Sequence, residues 1–305
     1  MTHLETKLAQ LSPLLHQWYT PEKLKHNLEE ALQVELDRLQ NLEFAKDFHD
    51  HCQVPGSEPA DYLNRWMGET LIGIRFRALD LSRPFVDVIL MPQLPGDAAG
   101  FLKVARQAAT ACALFQPKHA RFFVPSHIDL GPLPEGFFWE KRYLALPIQE
   151  ARQLPLPSRH GDITLQRPAE LDFYEAYTQI YQDIAAVHPD HPEYATPESR
   201  EDLQDLLEEG TLYQVMHEDQ WIGVVAATRS AEEGLSGFVV TEMLLRPEFQ
   251  GRGLGAAAQR HLIENLPALE DDVLFGTIDS RNTSAIRAAL KNHRKDIGGY
   301  LWVKV

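Results

Sequence analysis

The chain has 305 residues and only two cysteines, Cys52 and Cys112. Two thiols cannot staple a fold of this size, so no disulfide framework is expected and a reducing, cytoplasmic setting is implied. The first ten residues lack a basic-then-apolar signal pattern. No apolar run approaches the roughly 20 residues needed to cross a bilayer, so no membrane association is expected. Positive charge is also scarce: 29 Lys and Arg stand against 44 Asp and Glu, for a formal net charge of −15. This argues against nucleic acid as a partner and favours a cationic or amine-bearing substrate. With 44% hydrophobic and 24% charged residues, the composition is that of a soluble globular protein long enough for two domains.

Periodicity divides the chain into two similar halves. Residues 3–50 read as helices, with a proline-started helix at Thr20-Pro21-Glu22. A hairpin over 61–66 and 71–77, a strand at 84–91, a helix at 98–115, and strands at 120–124 and 143–148 follow. Residues 149–160 carry two prolines, Pro155 and Pro157, and read as a linker. The order then returns: strand 163–166, helices 170–186 and 199–207, hairpin 212–216 and 221–229, strand 238–245, helix 255–265, strand 273–278, helix 284–292 and strand 300–305. The expected fold is α/β, two lobes that each carry a mixed, mostly antiparallel sheet flanked by helices. The expected division is 1–150, 151–160 as linker, and 161–305. Local matches support an internal duplication. Leu71-Ile72-Gly73-Ile74 matches Trp221-Ile222-Gly223-Val224, residues 85–92 match 240–247, and Tyr143-Leu144 matches Tyr300-Leu301.

The most informative stretch follows the strand at 238–245. Arg246-Pro247 ends the apolar run, Gln250-Gly251-Arg252-Gly253-Leu254-Gly255 follows, and an alanine-rich helix begins. Such a turn aims several backbone N–H groups at one point, and the helix dipole adds partial positive charge there. The suited ligand is a phosphate or diphosphate. Gly251-x-Gly253-x-x-Ala256 also fits a dinucleotide fingerprint, with Asp279 as its acidic residue. Against that stand the residues separating the strand from the glycines, and the shortness of the chain after Asp279.

Gln-x-x-Gly-x-Gly after a strand and a proline resembles the acyl-CoA loop of the GNAT N-acetyltransferase superfamily, with Gln250, Gly253 and Gly255 at its signature positions. The resemblance implies acetyl-CoA as co-substrate, held at Gln250, Gly251, Arg252, Gly253, Leu254 and Gly255. It places pantetheine along the backbone of Met243, Leu244 and Leu245, with Asn282 ordering the turn or touching that arm. It also implies direct transfer to a primary amine, in a small molecule or peptide, within a ternary complex. Glu242, a carboxylate inside an apolar strand, is the candidate base. A family tyrosine that protonates the leaving thiolate is replaced by Ala289, leaving Ser284, Tyr300 or water as acid. The loop at 188–194 falls where the acceptor pocket is expected, with Asp190 and Tyr194 as candidate contacts. His188 and His191 lack companion ligands, so no metal is expected. In the first half, Pro95 and Asp97 stand where the second has Gln250 and Arg252, which implies a degenerate lobe without cofactor. The missing tyrosine leaves room for a second class, a non-catalytic acyl-CoA sensor or scaffold. The acceptor and the oligomeric state are not legible.

Overall fold

A computed structural model describes residues 2–193 and 195–305. In chain order the helices and strands are α1 (His3–Ala9), α2 (Pro13–Trp18), α3 (Pro21–Asp37), α4 (Leu42–Cys52), β1 (Arg65–Met67), β2 (Thr70–Phe76), β3 (Pro84–Leu90), α5 (Ala98–Ala111), β4 (His119–Pro125), β5 (Phe137–Pro147) and α6 (Ile148–Gln153). There follow β6 (Thr164–Gln166), α7 (Tyr174–Val187), α8 (Arg200–Glu208), β7 (Leu212–His217), β8 (Gln220–Glu232), β9 (Leu235–Leu245), α9 (Leu254–Asn265), β10 (Val273–Asp279), α10 (Thr283–Lys291) and β11 (Lys295–Lys304). Local chemistry sets many of these ends. Thr20 accepts from the Lys23 N–H at 3.2 Å to start α3 with Pro21 at its first position. Ser199 and Asp202 form a capping box on α8.

The chain forms two compact units. The first gathers the chain up to Lys141 with Glu232–Gly234 and Ile297–Val305; the second is Arg142–Ala231 with Leu235–Asp296. In the first unit β1, β2 and β3 pair antiparallel, β3 pairs parallel with β4 through the α5 crossover, and β11 pairs antiparallel with β4 from Gly298↔Pro125 to Lys304↔His119. Its core packs Ile72, Ile74, Val86 and Phe122 of the sheet on Phe101 and Ala105 of α5. In the second unit β6, β7 and β8 pair antiparallel, β9 lies next to β8, and β9 pairs parallel with β10 through α9. Both sheet faces are covered. Val225, Phe238 and Leu274 pack with Leu254, Ala258 and Leu262 of α9, and Val224 and Leu244 with Tyr177, Ile180 and Leu203 of α7 and α8. Among the described residues no helix is long and apolar enough to cross a membrane.

The units depart from the expected boundaries: Glu232–Gly234 belongs to the first unit, and the stretch expected as a linker, 151–160, lies within the second and carries the end of α6. The strand expected to close the first half contributes residues 142–147 to the second unit, where β5 borders β10. The strand expected to close the second half, 300–305, lies in the first unit, within Ile297–Val305, against β4. Both segments contain Tyr-Leu and bury a similar apolar run, so either can satisfy either edge. A chain begun at Arg159 would leave the β10 edge bare and carry a last strand without its β4 partner. We expect that fragment to be aggregated on gel filtration and without cooperative thermal unfolding; a folded monomer would contradict the strand assignment.

Candidate active site

β9 ends at Leu245, and the N–H of the next residue, Arg246, donates to the Ile222 carbonyl at 2.8 Å. A 3-10 turn over Pro247–Phe249 anchors the loop through buried Phe249. The Gln250 side chain turns back and donates to the Leu245 carbonyl at 2.8 Å, so it shapes the loop. Gly251 and Gly253 have φ of 70° and 84°, the left-handed region where a side chain is strained. Gly253 is the N-cap of α9, no side chain caps it, and no acidic residue stands in the first turn. The leading amides, including those of Leu254 and Gly255, are thus open to an outside anion. Arg252 lies over the Phe249 ring at 5.6 Å. Arg159, which sequence reading passed over, crosses Gly253: a Cβ there would sit 3.5 Å from its Cγ.

The helix that follows β3 in the first unit differs at this point. Asp97 is the N-cap of α5, and its carboxylate accepts from the Gly100 N–H at 2.8 Å. A negative charge of the chain itself occupies the position that is open on α9.

Beside the loop, β9 and β10 part. They pair at Gly237↔Val273, Phe238↔Leu274 and Val239↔Phe275, yet β9 runs on to Leu245 and β10 to Asp279. Gly237, at φ 146°, lets the strands close at this end, because a Cβ would strike the Val273 carbonyl. Along β9, Phe238 and Val240 pack on the α9 side, as do Met243 and Leu245, whereas Leu244 packs on the α7 side. The alternation therefore changes parity between Val240 and Met243, as a β-bulge requires. In that kink the Thr241 hydroxyl is buried without a partner.

The bulge turns Glu242 into the α7 face, where it is 3% exposed. Tyr177 donates to its carboxylate; Tyr181 lies 3.1 and 2.9 Å from the two oxygens, and the Met243 N–H donates at 2.8 Å. Tyr177 in turn accepts the Glu198 N–H at 2.7 Å. Burial pushes the Glu242 carboxyl up from 4.5 to about 7, against the lowering effect of these three bonds. Burial, reinforced by the adjacent Glu242, also raises both tyrosines, which remain neutral donors. Tyr177 and Tyr181 were missed from the sequence. Their four-residue spacing on α7, one helical turn, puts them on one face beside Tyr174, and that spacing was the available signal.

The other expected residues separate. The Met243 amide, expected to serve the cofactor, is engaged by Glu242. Leu244 and Leu245 have buried side chains, and the Leu245 carbonyl is engaged by Gln250. Asn282 caps α10, accepting from the Ala285 N–H at 3.1 Å. Ser284 is exposed on the first turn of α10, and Ala289 is wholly buried. Tyr300 belongs to the first unit, where its hydroxyl donates to Glu233 at 3.0 Å and the Arg121 guanidinium covers its ring at 4.3 Å. It is therefore not among the groups gathered around Glu242. Asp190 is exposed, and Tyr194 lies outside the described residues. The same loop reaches Glu242's surroundings through His191, whose ring is 5.9 Å from that of Tyr181. Glu193 pairs with Arg281 at 2.7 Å, tying this loop to the turn before α10. Asp279, the acidic residue of a dinucleotide fingerprint, is spent on Arg281 at 3.0 Å.

Residues 171–293 match the model of the acetyltransferase (GNAT) family, and that span is a domain of this family. An acetyltransferase of the GNAT family from Colwellia psychrerythraea is similar at 13% identity and TM-score 0.50, over 88% of this chain and 96% of the other. A GCN5-related N-acetyltransferase from Sphaerobacter thermophilus aligns at 11% identity and TM-score 0.46, over 77% and 76%. A tandem GNAT protein from the clavulanic acid biosynthesis pathway aligns at 12% and 0.45, over 87% and 96%. At these identities the likeness concerns fold alone. No curated protein matches the chain.

Proposed function

We propose that the second unit is a cytoplasmic N-acetyltransferase that moves an acetyl group from acetyl-CoA to a primary amine by direct transfer, and that the first is a duplicated lobe without cofactor. The observation that carries this reading is the opening between β9 and β10, which has the uncapped start of α9 at one end and a carboxylate of pKa about 7 beside it. The CoA diphosphate takes the amides of Leu254 and Gly255, with Gly251 and Gly253 permitting close approach and Arg252 adding charge. Pantetheine lies along the backbone of residues 244–245 as an added strand would, beside the Leu245 carbonyl that Gln250 already engages. The amine nitrogen attacks the thioester carbonyl and the carbon–sulfur bond breaks. CoA leaves as its thiolate, and the proton lost by the amine passes through the Tyr181 hydroxyl to Glu242. Tyr181 is the intermediary because it is less buried than Tyr177 and faces the loop at 188–193. The acidic surface suits a cationic acceptor.

Release of free CoA from acetyl-CoA, followed with a thiol reagent across a panel of polyamines, amino sugars and lysine peptides, tests this. Turnover with at least one amine is expected. The enclosure of Glu242 favours a second reading, a non-catalytic acyl-CoA sensor. Tight acetyl-CoA binding without turnover on any amine would select it. The Asp97 cap makes a separate prediction: calorimetric titration should saturate at one acetyl-CoA per chain. Like charges a few ångströms apart repel by about 4 kcal/mol in a half-buried site, so the first unit should contribute no second site. Two equivalent sites would refute the lobe assignment.

A further inference from the structure

The second unit carries a cluster that the transferase reading does not use. His261 and Glu264 lie one turn apart on α9, and His160 reaches them from the 3-10 turn His160–Asp162. One ligand atom from each falls within 4.8 Å of the other two. His160 Nε2 is 3.0 Å from Glu264 Oε2, and His261 Nδ1 is 3.8 Å from the same oxygen. The rings stack at 3.8 Å.

The surrounding bonds fix the free atom of His261, whereas His160 Nε2 hydrogen-bonds Glu264 Oε2 and must give up that hydrogen to ligate an ion. His261 Nε2 lies 2.9 Å from the His160 carbonyl, which can only accept, so Nε2 carries the hydrogen. In the neutral ring Nδ1 then directs a lone pair at a carboxylate oxygen 3.8 Å away, an arrangement relieved either by a proton on Nδ1 or by a cation between them. A ligating histidine held at its other nitrogen by a backbone carbonyl is the usual support of a metal site. Glu264 is oriented in the same way: its Oε1 accepts from Arg260 Nε at 3.0 Å, and Arg260 is itself held by the carbonyls of Ala151 and Arg152. Only Oε2 converges on the imidazoles.

We propose that His160, His261 and Glu264 bind a divalent transition-metal cation of the zinc class. Two imidazoles and a carboxylate suit such an ion. Donors about 2.0–2.1 Å from a tetrahedral centre stand about 3.3 Å apart, so the two rings, now stacked 16° from parallel, would have to tilt out of the stack to turn both lone pairs onto one ion, with water as fourth ligand. The ion would clip the segment at 157–162, which includes Arg159, to the helix whose first turn carries the glycine loop. Its binding does not depend on acetyl transfer.

The test is calorimetry of chelator-stripped full-length protein with zinc chloride, with cobalt absorbance as a second readout. One ion per chain at a dissociation constant of about 1 µM or tighter is expected, with a higher thermal midpoint because only the folded chain holds the site. Each of His160→Ala, His261→Ala and Glu264→Gln should weaken binding by about tenfold or more. The His188→Ala/His191→Ala pair should leave it unchanged. His160→Ala keeps the carbonyl that His261 grips, so this variant retains the local fold. Absence of zinc binding below about 100 µM, affinity preserved in a folded His160→Ala variant, or loss in the His188/His191 pair would overturn the site.

Discussion

Gly253→Asp is expected to abolish acetyl-CoA binding with little loss of fold. The residue sits at φ 84° as the N-cap of α9. Aspartate tolerates that region better than most side chains, at a cost of about 1 kcal/mol. Its carboxylate would lie beside the amides left open for a diphosphate, much as the Asp97 carboxylate occupies the start of α5. One negative charge about 4 Å from another repels by about 4 kcal/mol at an intermediate dielectric, roughly a thousandfold in affinity. Gly253→Ala separates the causes. It brings the backbone strain and contact with Arg159 without charge, so it should weaken binding far less. Calorimetry on both variants, with thermal melts as controls, decides the matter. Equal affinities of Gly253→Asp and the parent chain would show that no phosphate approaches this helix.

Legibility in the sequence varied with how local the cause was. The glycine loop was readable because its φ values are demanded by residue type, and Asp97 because a carboxylate at a helix start caps that helix. Glu242 stood out as a lone acid in an apolar strand. Its partners did not, since Tyr177 and Tyr181 lie over 60 residues away and meet it only because a bulge reverses the face of β9. A period-two reading of β9 is blind to an inserted residue, since alternation resumes on both sides of it. The last strands posed a different difficulty. Tyr143-Leu144 and Tyr300-Leu301 lie in segments of the same character, so pattern identifies them as strands without naming the sheet edge each fills. Tyr300 entered as one candidate acid because its strand was assigned to the second half, whereas it lies in the first unit.

Glu242→Gln should change both the reaction and the response of stability to pH. For the reaction, removing a general base costs about 10²-fold or more in kcat, while acetyl-CoA affinity stays near its original value because the loop is untouched. For stability, the folded carboxyl is pushed up to about 7 from an ordinary 4.5, chiefly by burial. The folded chain therefore binds this proton more tightly than the unfolded chain, and stability must fall as pH rises between those values. The contribution is complete below pH 4.5 and is lost as pH passes 7. The interval converts to about 3 kcal/mol at about 1.4 kcal/mol per unit. Glutamine keeps the shape and an acceptor oxygen for the tyrosines but cannot ionise, so the variant lacks this slope. Urea unfolding from pH 4.5 to 8 should give a parent-minus-variant difference that declines across the interval and levels above it. Parallel stability curves together with unaltered turnover would remove Glu242 from the chemistry. Parallel curves with turnover lost would place its proton elsewhere in the Tyr177–Tyr181 network. A declining difference with unaltered turnover would make the carboxylate a buried structural acid and move the search for the base to the loop at 188–193.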